Sequence, residues 1–282
     1  MKKLIRFLAG FTLLIVLLVL IAYSTGNGYL MKGLWASYLH GYNSASIGDA
    51  RFFDTHTIDA PATYEEWPLH AAYNQQPLSA PLTAMLEKTK TVAFLVLKED
   101  SILCEQYWDN YTDSSRSNSF SMAKSITTML AQVAIQKGFL KDWNQKVKTI
   151  LPELTGPYAD SLELWHLSTM SSGLDWDEKY KDPFSVTAKA YYGNDVNKLL
   201  LGLPIVNQPG KVYNYQSGST QLLGMCVTKV TGQSLSSLAS DWLWKPLQAE
   251  HAAQWHTPMR KGWNWPIAVL ILMPATLPAL GK

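Results

Sequence analysis

A run of 17 residues, Phe7 to Tyr23, carries no charge and follows Lys2, Lys3 and Arg6 directly, and it limits what this chain can become more than any other feature. A bilayer span takes about 20 apolar residues, whereas the apolar core of a signal peptide takes about 7–15. The run sits between the two. Tyr23 breaks the only small-residue pair that resembles a cleavage site, Ala22-Tyr23-Ser24, which favours an uncleaved anchor over a removed signal. Bases ahead of the helix hold the N-terminus in the cytoplasm and send the remainder of the chain across the membrane. The expectation is a single-pass inner-membrane protein whose body faces the periplasm or cell exterior.

The rest of the chain has the composition of a folded globule, with 47% hydrophobic and 16% charged residues. That excludes a disordered chain, and a net charge of +2 gives no reason to expect nucleic acid as a partner. The small excess of bases lies in the first 50 residues (Lys2, Lys3, Arg6 and Lys32 against Asp49), not in the body. Two cysteines, Cys104 and Cys226, make no disulfide framework and are expected to be unpaired and buried. With no CxxC or Cys/His cluster, neither a metal nor another cofactor is expected. We divide the chain into an anchor or signal (1–23), a spacer (24–60), a folded body (61–257) and an anomalous tail (258–282).

Within the body, residues 91–97 and 102–108 are rich in β-branched and aromatic side chains around a polar turn and read as a hairpin. Apolar positions Met122, Ile126, Met129, Leu130 and Val133 recur at helical spacing from Ser121 to Lys137, and Gly138 follows as a stop. Further helices are expected over 219–231 and 235–243. Ser121 and Lys124 lie one turn apart on one helix face. A serine hydroxyl becomes a nucleophile when a base takes its proton, and a nearby lysine can share that proton. An SxxK spacing arises by chance about once in a chain of this length. The plainer reading is a helix cap beside a solvated lysine. Its position after a hairpin, at the start of a strongly apolar helix, raises the pattern above that. A second element, Pro209 to Gly224, places Tyr215 before a polar turn and an apolar helix, where its phenol can face a lysine. An aromatic plug with Ser217 and Ser219 as caps is the plainer alternative.

Taken together, FSMAKS at 120–125, HLSTMSSGLDW at 166–176, PGKVYNYQSGSTQLLG at 209–224 and LWKPL at 243–247 resemble the serine hydrolases related to class C β-lactamases, including penicillin-binding esterases and 6-aminohexanoate-dimer hydrolases. The resemblance implies an α+β, β-lactamase/transpeptidase-like fold: a sheet flanked by helices, plus a helical region. It also implies Ser121 as acylated nucleophile, Lys124 as its proton partner and Tyr215 as the first residue of a Tyr-x-Asn element. Here that element reads Tyr215-Gln-Ser217, so Ser217 replaces the amide-binding Asn, which fits the ester or amide branch better than an efficient β-lactamase. Ser217 and Trp176 are the expected substrate-binding residues, and His166 is expected to be structural. The implied substrate is a small ester, amide or peptide-like molecule.

The tail departs from the family, whose members continue through further strands that complete the oxyanion hole. Read one base earlier, Trp263-Asn264 forces Glu, Asn264-Trp265 forces Leu, and Trp265-Pro266 and Met273-Pro274 each force Ala. The frame then permits a string resembling the family's continuation. The expectation is that residues from about Pro258 are out of frame, so that the C-terminal strands are missing and the tail does not join the sheet. A truncated inactive copy and a non-catalytic binding module using the same cleft are the alternatives to an active hydrolase.

Overall fold

In the computed structural model, which describes residues 1–42, 45–48, 53–257 and the backbone of 270–272, the apolar run forms helix α1 (Lys2–Ser24) with no buried residue. It has 23 residues, and its most apolar 18-residue window has a mean hydropathy of 2.8, so it is long and apolar enough to cross a membrane. At 1.5 Å per residue it is about 35 Å long, close to the thickness of a bilayer's hydrocarbon core.

The expected spacer is not a spacer. After four connecting residues comes helix α2 (Tyr29–Ala36), whose Tyr29 and Ala36 are buried. Gly33 lets α2 approach the body, since a Cβ there would stand 3.2 Å from the Tyr192 ring. Lys32 Nζ lies 5.4 Å from the centre of the Phe53 ring, which in turn stacks on His256 at 4.9 Å. The next element, β1 (Asp54–Ile58), pairs along its whole length with a strand from the far end of the chain, β5 (Ala253–Thr257). The Gly, Ser and Asn content of residues 24–60 read as linker, but Tyr29, Phe53 and Ile58 supply enough apolar surface to bind the segment to the body.

Helix α3 (Ala80–Lys88), with Pro81 in its first turn, leads into the hairpin of β2 (Ala93–Lys98) and β3 (Ser101–Tyr107). Glu99 and Asp100, at φ +50° and +55°, form its two-residue turn. This is the backbone that matches the twist of antiparallel strands. The hairpin is a separate two-stranded sheet. The other sheet runs β1, β5, β6, β4, where β4 is Ser117–Asn118 and β6 is Leu270–Leu272.

The expectation that the tail stays out of the sheet is therefore corrected for these three residues. The backbone of β6 pairs with Gln254 and Trp255 on one side and with Ser117 and Asn118 on the other. Both β5 and β4 have backbone groups that need partners on the inner side of the sheet, and an extended triplet supplies them. Residues 258–269 and 273–282 lie outside the described residues.

The core is helical. Helix α4 (Met122–Gln136) packs against α8 (Ser217–Thr231), which is buried without interruption from Ser217 to Thr228. Gly138, at φ +77°, takes the left-handed position just past α4. Between them, residues 139–205 hold three short helices, α5 (Leu164–Ser168), α6 (Val186–Tyr192) and α7 (Val196–Leu201). Side-chain oxygens of Ser185 and Asp195 cap the latter two. The expected helix at 235–243 is split into α9 (Leu235–Ala239) and a π-helical turn over Ser240–Trp244. Cys104 in β3 and Cys226 in α8 are free and buried.

Candidate active site

Ser121 stands where β4 turns into α4. Asn118 Oδ1 accepts a hydrogen bond from the Phe120 N–H at 2.8 Å, and Phe120 itself takes φ +44°, unusual for a residue with a side chain. That sharp turn presents Ser121 as the N-cap of α4, but its hydroxyl makes no capping bond and the side chain is exposed. Instead Ser121 Oγ accepts from Lys124 Nζ at 3.1 Å and from the Tyr215 hydroxyl at 2.6 Å. Lys124 is only 8% exposed, and its Nζ lies 5.2 Å from the centre of the Tyr215 ring. Helical spacing sets the Ser–Lys pair. The Tyr arrives from 94 residues away.

The segment 166–176 holds Tyr215 from both sides. Met170 carbonyl accepts from the Asn214 N–H at 2.8 Å, and the Gln216 amide donates to the carbonyls of Leu174 at 2.9 Å and Trp176 at 3.1 Å. Ser172 Oγ lies 2.8 Å from Ser219 Oγ and donates to Gln216 Oε1 at 3.2 Å, so the buried amide is satisfied. Gly173 makes this possible: it sits at φ +72°, and a Cβ there would collide with the Asn207 carbonyl. His166 is part of the same scaffold. Its Nδ1 accepts from the Glu163 N–H at 3.0 Å, closing a capping box on α5, and burial pushes its pKa down.

Ser217 and Trp176, the two residues expected to bind substrate, meet at a residue that sequence reading missed. Glu178 accepts four hydrogen bonds: from the Ser217 N–H at 2.7 Å, Ser217 Oγ at 2.6 Å, Trp176 Nε1 at 2.6 Å and the Tyr180 hydroxyl at 2.7 Å. Ser217 lines the cleft. Trp176 does not, and here the structure corrects the expectation. It is 5% exposed, and its ring packs on Gly218, where a Cβ would come within 2.6 Å of it. A tryptophan beside a motif reads equally as cleft wall or as packing. The missing side chain at Gly218 settled it toward packing. Nothing in the local pattern Asp175-Trp176-Asp177-Glu178 marks Glu178 over its acidic neighbours.

Ser121, Lys124 and Ser217 line a cavity of about 530 Å³ together with residues of α2 and α6. Among the described residues no group of three or more His, Cys, Asp or Glu side chains is arranged to hold a metal ion.

Residues 80–261 match the Beta-lactamase family model. The chain is 29% identical over 183 residues to the 6-aminohexanoate-dimer hydrolase of Paenarthrobacter ureafaciens, which covers 61% of this chain and 46% of that protein. It is 28% identical over 134 residues to Protein flp of Staphylococcus aureus (strain MW2), covering 46% of this chain and 26% of that one. The chain thus spans less than half the length of these curated relatives. Among solved structures, a provisionally assigned 6-aminohexanoate-dimer hydrolase from Bacillus anthracis superposes with a TM-score of 0.72 at 21% identity, covering 84% of this chain and 66% of that one. A class C β-lactamase superposes at 0.51 and 17% identity, covering 71% of this chain and 61% of that one. The fold is α+β and β-lactamase/transpeptidase-like, and with the family model matched over more than half its length the chain belongs to the Beta-lactamase family.

Proposed function

We propose that this protein is a membrane-anchored, extracytoplasmic serine hydrolase that forms an acyl-enzyme on an ester, amide or peptide-like substrate. The observation that carries this reading is the hydroxyl of Ser121, free of any capping duty and contacted at once by Lys124 and Tyr215. In this reading Ser121 Oγ attacks the substrate carbonyl carbon while its proton passes to the lone pair of an unprotonated Tyr215 Oη or Lys124 Nζ. The carbonyl π pair moves onto oxygen, then returns as the bond to the leaving alcohol or amine breaks, and that group carries the proton away. Water repeats the sequence on the acyl-serine and restores the free hydroxyl. The positive end of α4 favours the negative charge that develops beside Ser121.

Kinship with a 6-aminohexanoate-dimer hydrolase supports the amide or ester branch. Replacement of the Tyr-x-Asn amide by Ser217, already bound to Glu178, supports the same branch. The bases ahead of α1 support an outward-facing body. The out-of-frame reading of the segment beyond Pro258 stands beside this as a proposal, tested by the nucleotide sequence at codons 257 and 258.

The test is hydrolysis of 4-nitrophenyl acetate by the full chain in detergent micelles or nanodiscs. The expected result is turnover that Ser121→Ala lowers at least about 10³-fold. Turnover equal in wild type and Ser121→Ala, or none from a cooperatively folded protein, would overturn it.

A further inference from the structure

Much of the cavity beside Ser121 is lined by apolar side chains, part of them from α2, the segment joined to the membrane helix. From α2, Tyr29, Leu30 and Leu34 line the cavity, and from α6 so do Ala188, Tyr191 and Tyr192. Rings of this size present large apolar faces, and a cavity of about 530 Å³ lies within the usual range of about 300–1,000 Å³ for small-molecule sites. Part of the exposed lining is apolar too: Leu34, Tyr38 and Tyr180 line the cavity while remaining 44%, 57% and 64% exposed. Exposed apolar surface around a cleft is unusual in water and marks a binding surface for something equally apolar.

The position of the cavity relative to α1 narrows the occupant. Only four residues separate Ser24 from Tyr29, so the α2 lining begins within about 18 Å of chain from the end of the apolar helix. Gly28 fits this connection against the helix, since a Cβ there would come within 2.7 Å of the Tyr23 ring. Charged side chains are few at the cavity: Lys124 beside Ser121, and Lys179, Lys181 and Asp182 from the segment leading into α6. The cavity therefore joins a run of apolar side chains from α2 and α6 to a few polar and charged groups around Ser121, a combination that suits an amphiphile.

Resting on the hydrolase reading above, we infer that the α2–α6 cavity holds the aliphatic acyl chain of an amphiphilic ester or amide, with the carbonyl at Ser121. The substrate class is then a chain-bearing ester or amide drawn from the membrane surface.

The experiment uses the full chain in nanodiscs and two readouts. The first is kcat/KM for 4-nitrophenyl esters from acetate to decanoate. We expect a rise of at least tenfold from acetate to octanoate, and a collapse of that ratio by at least tenfold in Ala188→Trp, which fills the cavity. The second needs no chemistry: dansyl-undecanoic acid binding to Ser121→Ala, and at least tenfold weaker binding when Ala188→Trp is added, with thermal unfolding confirming that each variant is folded. Leu34→Trp serves in place of Ala188→Trp if the latter fails to fold. A chain-length profile that is flat in wild type, or dansyl-undecanoic acid binding that neither filling variant weakens, would overturn the inference while leaving Ser121-dependent acetate hydrolysis intact. Probe binding that the filling variant abolishes, without hydrolysis of any ester, would instead uphold the cavity and remove the hydrolase reading.

Discussion

One wall of the Ser121 cleft is polar and tied together by hydrogen bonds, whereas another part of its lining is apolar and held by ring packing. On the polar side, Ser121, Lys124, Tyr215, Ser217 and Glu178 form contacts of 2.6–3.1 Å, and the residues flanking Tyr215 are bound to the loop behind it. On the apolar side, α2 rests on α6 through Gly33 and Tyr192 and on the sheet through Lys32, Phe53 and His256. Hydrogen bonds fix positions to fractions of an ångström, as proton transfer requires, while apolar packing fixes shape and tolerates adjustment. In the proposed reading, chemistry and substrate choice divide between the two parts of the cavity lining and are separable by mutation.

The largest effects should follow changes on the polar wall. Lys124→Met and Tyr215→Phe each remove one partner of Ser121 Oγ without changing the fold, and kcat for 4-nitrophenyl acetate should fall about 10²- to 10⁴-fold, with far-UV circular dichroism unchanged. Combining them should cost much less than the product of the single losses, because both act on one proton. Glu178→Gln comes next. Glutamine accepts at one terminal atom and donates at the other, so two of the four donors that Glu178 now satisfies lose their acceptor. Ser217 should shift, and kcat/KM should drop about tenfold, mostly through KM, as steady-state kinetics would show; Glu178 acts here as a positioning residue.

The polar wall was more legible in the sequence than the apolar one. An i, i+3 pair on an apolar helix announces its own geometry, and the motif blocks placed Tyr215 with it. The hairpin and α4 followed from period and turn signals, local properties that a sequence carries on its face. Helix α2 was hidden because its apolar residues gain meaning only from α6 and β5, which follow it by roughly 150 and 220 residues. Glu178 was hidden for the same reason, being one carboxylate among several until four donors converge on it. Trp176 misled because its neighbour Gly218, not its own motif, decides which way it packs.

Effects on the apolar wall should be smaller and should appear in stability before rate. His256 is 7% exposed, and its pKa is pushed down to about 3, first by burial and then by the charge of Lys32. Unfolded, the same imidazole has a pKa of 6.5, so below that pH the unfolded chain binds the proton that the folded one refuses. Stability should therefore be fully present above pH 6.5 and decline by up to about 1.4 kcal/mol per pH unit as the pH falls toward 3. His256→Phe should flatten that slope in urea titrations. The mildest change is Gly33→Ala, whose Cβ would stand 3.2 Å from the ring edge of Tyr192. Its cost should stay below about 1 kcal/mol, read as a small drop in Tm, with acetate turnover within about twofold of wild type.

Whether Ser121 is the nucleophile, activated by Lys124 and Tyr215, is answered by labelling the intact full-length chain with a fluorophosphonate and mapping the peptides in a mass spectrometer. One adduct should form, on Ser121, absent in Ser121→Ala and formed at least about tenfold more slowly in Tyr215→Phe. An adduct on any other residue, or an unmodified Ser121 in protein shown to be folded, would contradict that assignment.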